Sequence, residues 1–254
     1  MITIKSKAEL DIMRKAGEIV AMAHEAIAQN AKPGVTTKEL DRIAEEVIRK
    51  NNAIPSFKGY EGLPGAIDFP ASICASVNEE IVHGIPSDRV LKDGDILSVD
   101  IGAYYNGYHG DAARTIPIGI ISKKAADLIE VTRQSFFEGM NKAVIGNRII
   151  DIGGAIQDYA EQHGYSLVRD YVGHGIGTKM HEDPSVPNYR TRFRGPRLQE
   201  GMTIAIEPMV NIGTYKVKVL GNKWTVVTAD GELSAHYENT IAITQNEPII
   251  LTQL

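Results

Sequence analysis

Residues 91–100, LKDGDILSVD, come back at residues 198–207 as LQEGMTIAIE. Leu and Gly are identical, and Asp/Glu, Leu/Ile, Val/Ile and Asp/Glu agree in kind. Six of the ten positions therefore match at an offset of 107 (207 against 100). Gly34 and Gly146 match at an offset of 112, and the difference of five is the size of a loop insertion. Self-similarity at this scale governs the fold, because each copy takes the same supersecondary form. The expectation is one domain over 1–254, built from two halves at about 1–118 and 119–254. In this alignment Asp100 falls on Glu207, so two acids occupy equivalent places.

Each half reads as two helices followed by strands. From Ser6 to about Asn30 the apolar residues Leu10, Met13, Ala16, Ile19, Val20 and Ala23 recur at helical spacing, and Ser6 with Glu9 forms a capping box. Pro33-Gly34 ends that helix, and Thr36 with Glu39 caps a second one to about Asn51. Strand-like runs follow near 72–77, 96–105 and 108–115. The order then returns: Ser122 opens a long helix that Gly146 ends, and another runs from about Ile150 to His163 before more strands. The fold class is α+β, two pseudo-symmetric halves around an antiparallel sheet.

The acids sit where charge is costly. Asn106-Gly107 is a two-residue hairpin signal, since both residues tolerate positive φ. With that loop, residue 105 faces 108, 102 faces Asp111, and Asp100 faces 113. Asp100 and Asp111 then share a face as diagonal neighbours, roughly 7–8 Å apart at the backbone. Glu207 lies in TIAIEPMV and Glu238 in SAHYENTIAIT, again among apolar residues. His109 precedes Asp111 by two, as His236 precedes Glu238. No lysine or arginine is expected within these strand runs to neutralise the acids. One acid alone would suit a bulge, an edge or a local ion pair. Four placed by an internal repeat call for a bound cation.

Oxygen-rich ligation suits a hard or borderline divalent metal, and a histidine tilts the choice toward manganese, iron, cobalt or zinc. Candidates are His174 and His181 in VGHGIGTKMHEDP, and His83 in NEEIVHGIPS. Glycines on both sides of His174 permit close backbone approach.

The bulk properties bound the class. With 43% hydrophobic residues and a net charge of −5, the chain reads as an ordinary globular protein. It has no apolar run long enough for a membrane span and no secretory signal. Its single cysteine, Cys74, excludes an internal disulfide and fits a reducing compartment, with cytoplasm the simplest placement. The mild acidity argues against bulk nucleic-acid binding. The local exception, YRTRFRGPR at 189–197, is either a solvated loop or a contact for an anionic partner.

The motifs SVNEEIVHGIPS, VDIGAYYNGYHGDAART, VGHGIG…HEDP, AIEPMV and WTVV…SAHYENTIAIT together resemble the type I methionine aminopeptidases in their short form. The resemblance spans essentially the whole chain. It implies the pita-bread (creatinase/aminopeptidase) fold, a monomer, and a dinuclear metal site. The implied ligands are Asp100, Asp111, His174, Glu207 and Glu238. Asp111 and Glu238 would bridge two divalent ions (Co, Mn, Fe or Zn), Asp100 would chelate one, and His174 and Glu207 would hold the other. The implied chemistry is metal-assisted hydrolysis of the first peptide bond of a nascent polypeptide beginning Met followed by a small residue. Glu207 would shuttle the proton, His181 would bond the carbonyl oxygen as it becomes an oxyanion, and His83 would contact the departing amide nitrogen.

The resemblance also places Phe57, Tyr60, Leu63, Cys74, Met180 and Trp224 around the side-chain pocket, each of which could equally be ordinary core. Tyr60, Cys74 and Trp224 match the family pattern best. Leu63 stands where an aromatic is common, Phe57 where a smaller residue is frequent, and GLPGAIDFP at 62–70 is longer than in the shortest members. His236 and Asn239 depart from the commoner AQYEHT pattern, which alters the surroundings of Glu238. The arginine cluster becomes a candidate for transient ribosome contact. The rival enzyme is an Xaa-Pro aminopeptidase or dipeptidase on the same fold. Such enzymes usually carry a further N-terminal domain, whereas the first helix here begins near residue 6. A non-enzymatic binding module on this fold would lack the ligands, and a structural metal site would use nitrogen and sulfur.

Overall fold

The computed structural model describes residues 1–62 and 64–254. The described residues form four helices, α1 (Lys7–Asn30), α2 (Thr37–Lys50), α3 (Lys123–Met140) and α4 (Ile149–Gln162). Both predicted capping boxes form, Ser6 with Glu9 and Thr36 with Glu39. The helix opened by Ser122 stops at Met140, six residues short of Gly146. Asn141 and the turns after it take the chain out of the helix, and Gly146 instead turns it into α4.

The repeat is visible in the backbone. Gly34 and Gly146 have φ of 95° and 99°, each two residues before the N-cap of the second helix of its half, Thr36 and Arg148. The Leu91 N–H donates to Val35 O at 2.8 Å, and the Leu198 N–H to Asn147 O at 2.9 Å. Isolated antiparallel bridges join Thr36 to Val90 and Arg148 to Arg197. The same connection thus recurs at the same two offsets.

Among the described residues the paired strands are antiparallel and form four hydrogen-bonded sheets. The largest ladder is the hairpin Ile96–Tyr105 with Tyr108–Pro117, in the expected register: Tyr105 opposite Tyr108, Gly102 opposite Asp111, Asp100 opposite Ala113. Asn106 and Gly107 turn it with φ of 46° and 93°. Ile73–Val77 pairs along the other edge of Ile96–Tyr105. In the second half Thr203–Ile206 lies between Asn239–Ala242 and Gly173–Gly175.

The two largest apolar clusters follow the two halves. One gathers Ile19, Val20 and Ile27 of α1 with Leu40 and Ile48 of α2 and Val99 and Ile101 of the hairpin. The other gathers Leu128 and Phe136 of α3, Ile152 and Ile156 of α4, and Ile204 and Ile206. The halves are stitched at the acids themselves. Ala113 and Glu238 exchange both backbone hydrogen bonds, at 3.3 and 3.0 Å, and Thr240 Oγ1 donates to the Asp111 carbonyl at 2.9 Å. This seam sets Asp111 of one half beside Glu238 of the other. No helix among the described residues is long and apolar enough to cross a membrane.

Candidate metal centre

One cavity of about 260 Å³ is lined by Asp100, Asp111, His174, Glu207 and Glu238, and by His83 and His181. Every acid and histidine singled out for chemistry from the sequence opens onto this one space. The hairpin delivers Asp100 and Asp111 from one face, and the seam places Glu238 beside them. Glu207 follows Thr203–Ile206, and His174 sits at the middle of Gly173–Gly175.

The flanking glycines have a steric reason. A Cβ on Gly173 would stand 2.3 Å from the Ala205 carbonyl oxygen, and one on Gly175 would stand 2.1 Å from that of Asp183. Only glycine lets these strands close around His174. His174 Nδ1 lies 2.8 Å from the Gly175 carbonyl oxygen, which can only accept, so Nδ1 carries the proton. Its Nε2 lone pair then points at carboxylate: 3.8 Å from Asp111 Oδ2 and 3.6 Å from Glu207 Oε1.

Burial sets the electrostatics. Asp111 is 3% exposed and Glu238 1%. Desolvation pushes the Asp100 carboxyl up to about 7. Burial, reinforced by the neighbouring carboxylates, raises Asp111, Glu207 and Glu238 well above the ordinary range. Burial lowers the imidazoles, His174 to about 3 and His83 to about 4, with His181 also lowered, so they are neutral. Asp100 Oδ1, Asp111 Oδ1 and Glu238 Oε1 are buried with no hydrogen-bond partner. The strand run does carry a cation, Arg114. Its odd spacing from Asp111 turns it to the opposite face, where it donates to the Ala113 and Glu238 carbonyls and to Asn239 Oδ1 at 2.6 Å. It satisfies none of the orphaned carboxylate oxygens. Divalent cations fit this donor set, oxygen-rich with imidazole nitrogen at its rim. Asp111, His174 and Glu238 offer one group of mutually close donor atoms, and Glu207, His236 and Glu238 another.

The same cavity is walled by Phe57, Tyr60, Cys74, Met180 and Trp224. Leu63 lies outside the described residues. Sequence reasoning did not pick out Phe69, Tyr171 or Met209, which also face the cavity. Aromatic residues in turn-rich segments were the available signal. Phe69 meets Trp224 edge-on with ring centroids 5.2 Å apart, and Trp224 Nε1 donates to the Ile67 carbonyl at 2.8 Å. Ile67 and Phe69 therefore support the wall that holds Trp224. His83 has φ of 59° and stands edge-on to Tyr171 at 5.6 Å. Tyr60 Oη lies 2.7 Å from His181 Nδ1.

His236 enters this site, while its counterpart His109 does not. His109 Nδ1 pairs with Ser56 Oγ at 2.8 Å and its ring packs on Tyr104. In the arginine cluster, Arg190 is held by Asp158, and the Arg197 side chain donates to the Gly146 carbonyl.

The profile of Metallopeptidase family M24 matches residues 11–245. A methionine aminopeptidase of Clostridium acetobutylicum is 62% identical over 253 residues, covering 99% of each chain. The crystal structure of methionine aminopeptidase from Thermotoga maritima matches with a TM-score of 0.96 and 43% identity over the whole of both chains. Prolidase from Pyrococcus furiosus matches with a TM-score of 0.76 and 25% identity, over 99% of this chain and 65% of that one.

Proposed function

The chain belongs to metallopeptidase family M24, with its pita-bread fold, and is an aminopeptidase for N-terminal methionine; from that premise we propose how its residues divide the work. The observation that carries the reading is that the acid cradle and the apolar slot of Phe57, Cys74, Met180 and Trp224 share one cavity. A methionine side chain in the slot brings its own amine and carbonyl to the carboxylates.

Asp100, Asp111, His174, Glu207 and Glu238 are the proposed metal ligands, for two divalent ions drawn from cobalt, manganese, iron or zinc. When bound, such ions polarise the scissile carbonyl and lower the pKa of a water. Glu207 faces the cavity, where its carboxylate would take a proton from the attacking water and pass it to the leaving amine. His181 donates from Nε2 to the developing oxyanion, a tautomer that requires Nδ1 to accept from the Tyr60 hydroxyl. His83, neutral and deep beside Trp224, contacts the amide nitrogen of the departing chain.

The substrate is a nascent polypeptide whose second residue is small. The whole of 1–254 acts as one catalytic domain, in halves of about 1–118 and 119–254, as a cytoplasmic monomer. Arg192 and Arg194, with Phe193 79% exposed between them, are the ribosome-facing part of the basic loop. The test is release of free methionine from Met-Ala-Ser against cleavage of an Xaa-Pro peptide. Methionine release is the expected preference, and faster Xaa-Pro cleavage would move the specificity to the rival reading. The 25% identity to a prolidase, against 62% to a methionine aminopeptidase, supports the first.

A further inference from the structure

His236 is 1% exposed, and its Nε2 is buried without a hydrogen-bond partner. That atom lies 3.7 Å from Glu207 Oε2 and 3.8 Å from Glu238 Oε2. His174 Nε2 stands in the same relation to the other Glu207 oxygen, 3.6 Å from Oε1. Each oxygen of Glu207 is thus faced by one imidazole. These separations are too long for hydrogen bonds. They are the separations of atoms that share an ion: with metal–ligand bonds of about 2.0–2.2 Å, donors at tetrahedral to trigonal angles lie about 3.3–3.8 Å apart.

The placement comes from the topology. Ser234–His236 pairs with Met209–Asn211, with His236 opposite Met209, two residues from Glu207. His109, two residues before Asp111 in the other half, has found Ser56 and is satisfied. The His236 Nε2 faces only carboxylate.

We propose that His236 is a further metal ligand, placing an imidazole on the ion held between Glu207 and Glu238. This rests on the metal-binding reading above. This imidazole donor biases that position toward cobalt, zinc or iron over manganese, because imidazole favours the later metals.

The test loads the chelated, ¹⁵N-histidine-labelled protein with Co(II) and records proton NMR in water. The native protein should give two strongly contact-shifted imidazole N–H signals, and His236→Gln one. The variant should also bind Co(II) about 10–100-fold more weakly in competition with a chelator, with a smaller loss for Mn(II). If the native protein binds Co(II) but gives a single such signal, His236 is not a ligand and the metal-binding reading stands. Unchanged Co(II) affinity in His236→Gln overturns the proposal in the same way. If the native protein binds no Co(II), both readings fall. The count in the native protein does not depend on the variant folding.

Discussion

Replacing Asp100 by asparagine should stabilise the metal-free fold while removing the activity that added metal supports. Asp100 shares the cavity with three other acids, and its Oδ1 has no hydrogen-bond partner. Burial raises its carboxyl from 3.8 to about 7 in the folded chain. At 1.36 kcal/mol per pH unit, holding it ionised costs roughly 4 kcal/mol. Because the folded value lies above the unfolded one, the folded state binds the extra proton between them. Stability therefore falls as pH rises from about 4 to about 7, and the penalty is complete above that. Asparagine keeps the size and discards the charge. At pH 8 without metal, Asp100→Asn should melt several degrees above the native protein, since about 1 kcal/mol is worth roughly 2–4 °C in a chain of this length. The gap should close at pH 4. With cobalt or manganese added the order should reverse, because an ion that binds only the folded state raises its stability by mass action. Scanning calorimetry after chelation, at both pH values, gives the result. A variant that melts below the native protein at pH 8 without metal would refute the reasoning, since the carboxylates would then be stabilised by the fold itself.

Other consequences follow from the walls of the site. Tyr60→Phe removes the hydroxyl at His181 Nδ1, and kcat for methionine release should fall about 3- to 10-fold with little change in KM, the worth of one hydrogen bond. A change confined to KM would show that Tyr60 only binds substrate. Lys5 Nζ pairs with Glu182 Oε2 at 2.6 Å, with side chains 4% and 7% exposed, directly beside His181. Glu182→Gln should cost about 3–5 kcal/mol in denaturant unfolding, the penalty for stranding one member of a buried pair. Burial alone would raise the Glu182 carboxyl, but hydrogen bonds from Lys5 and Thr3 hold it at about 2 against an ordinary 4.5. With its folded value depressed, Glu182 stabilises the protein above about 4.5, and that contribution is lost as pH falls toward 2. Native and variant stabilities should converge over that window.

Much of this site was legible in the amino-acid order. The Asn106-Gly107 turn fixes the hairpin register, and the register fixes which face carries Asp100 and Asp111. The repeat makes Glu207 the counterpart of Asp100, and the glycines beside His174 announce a close backbone approach that the structure makes. Long-range pairing was not legible. His109 and His236 look equivalent from the sequence, each two residues before an acid. They differ because one strand runs beside Ser56 while the other lies opposite Met209. Phe69 was hidden for a similar reason, since its partner Trp224 is far away in the chain. The end of α3 was misplaced at Gly146 because a glycine that starts the next turn resembles one that ends a helix.

The most direct measurement couples metal content to methionine release. The chelated protein is titrated with Co(II) or Mn(II), bound ions are counted by elemental analysis, and free methionine from Met-Ala-Ser is measured at each step. Activity should be absent without metal, rise in step with binding, and saturate by the second ion. Glu207→Ala should remain inactive at every metal concentration. Full methionine release from the metal-free protein, or from Glu207→Ala, would contradict the account.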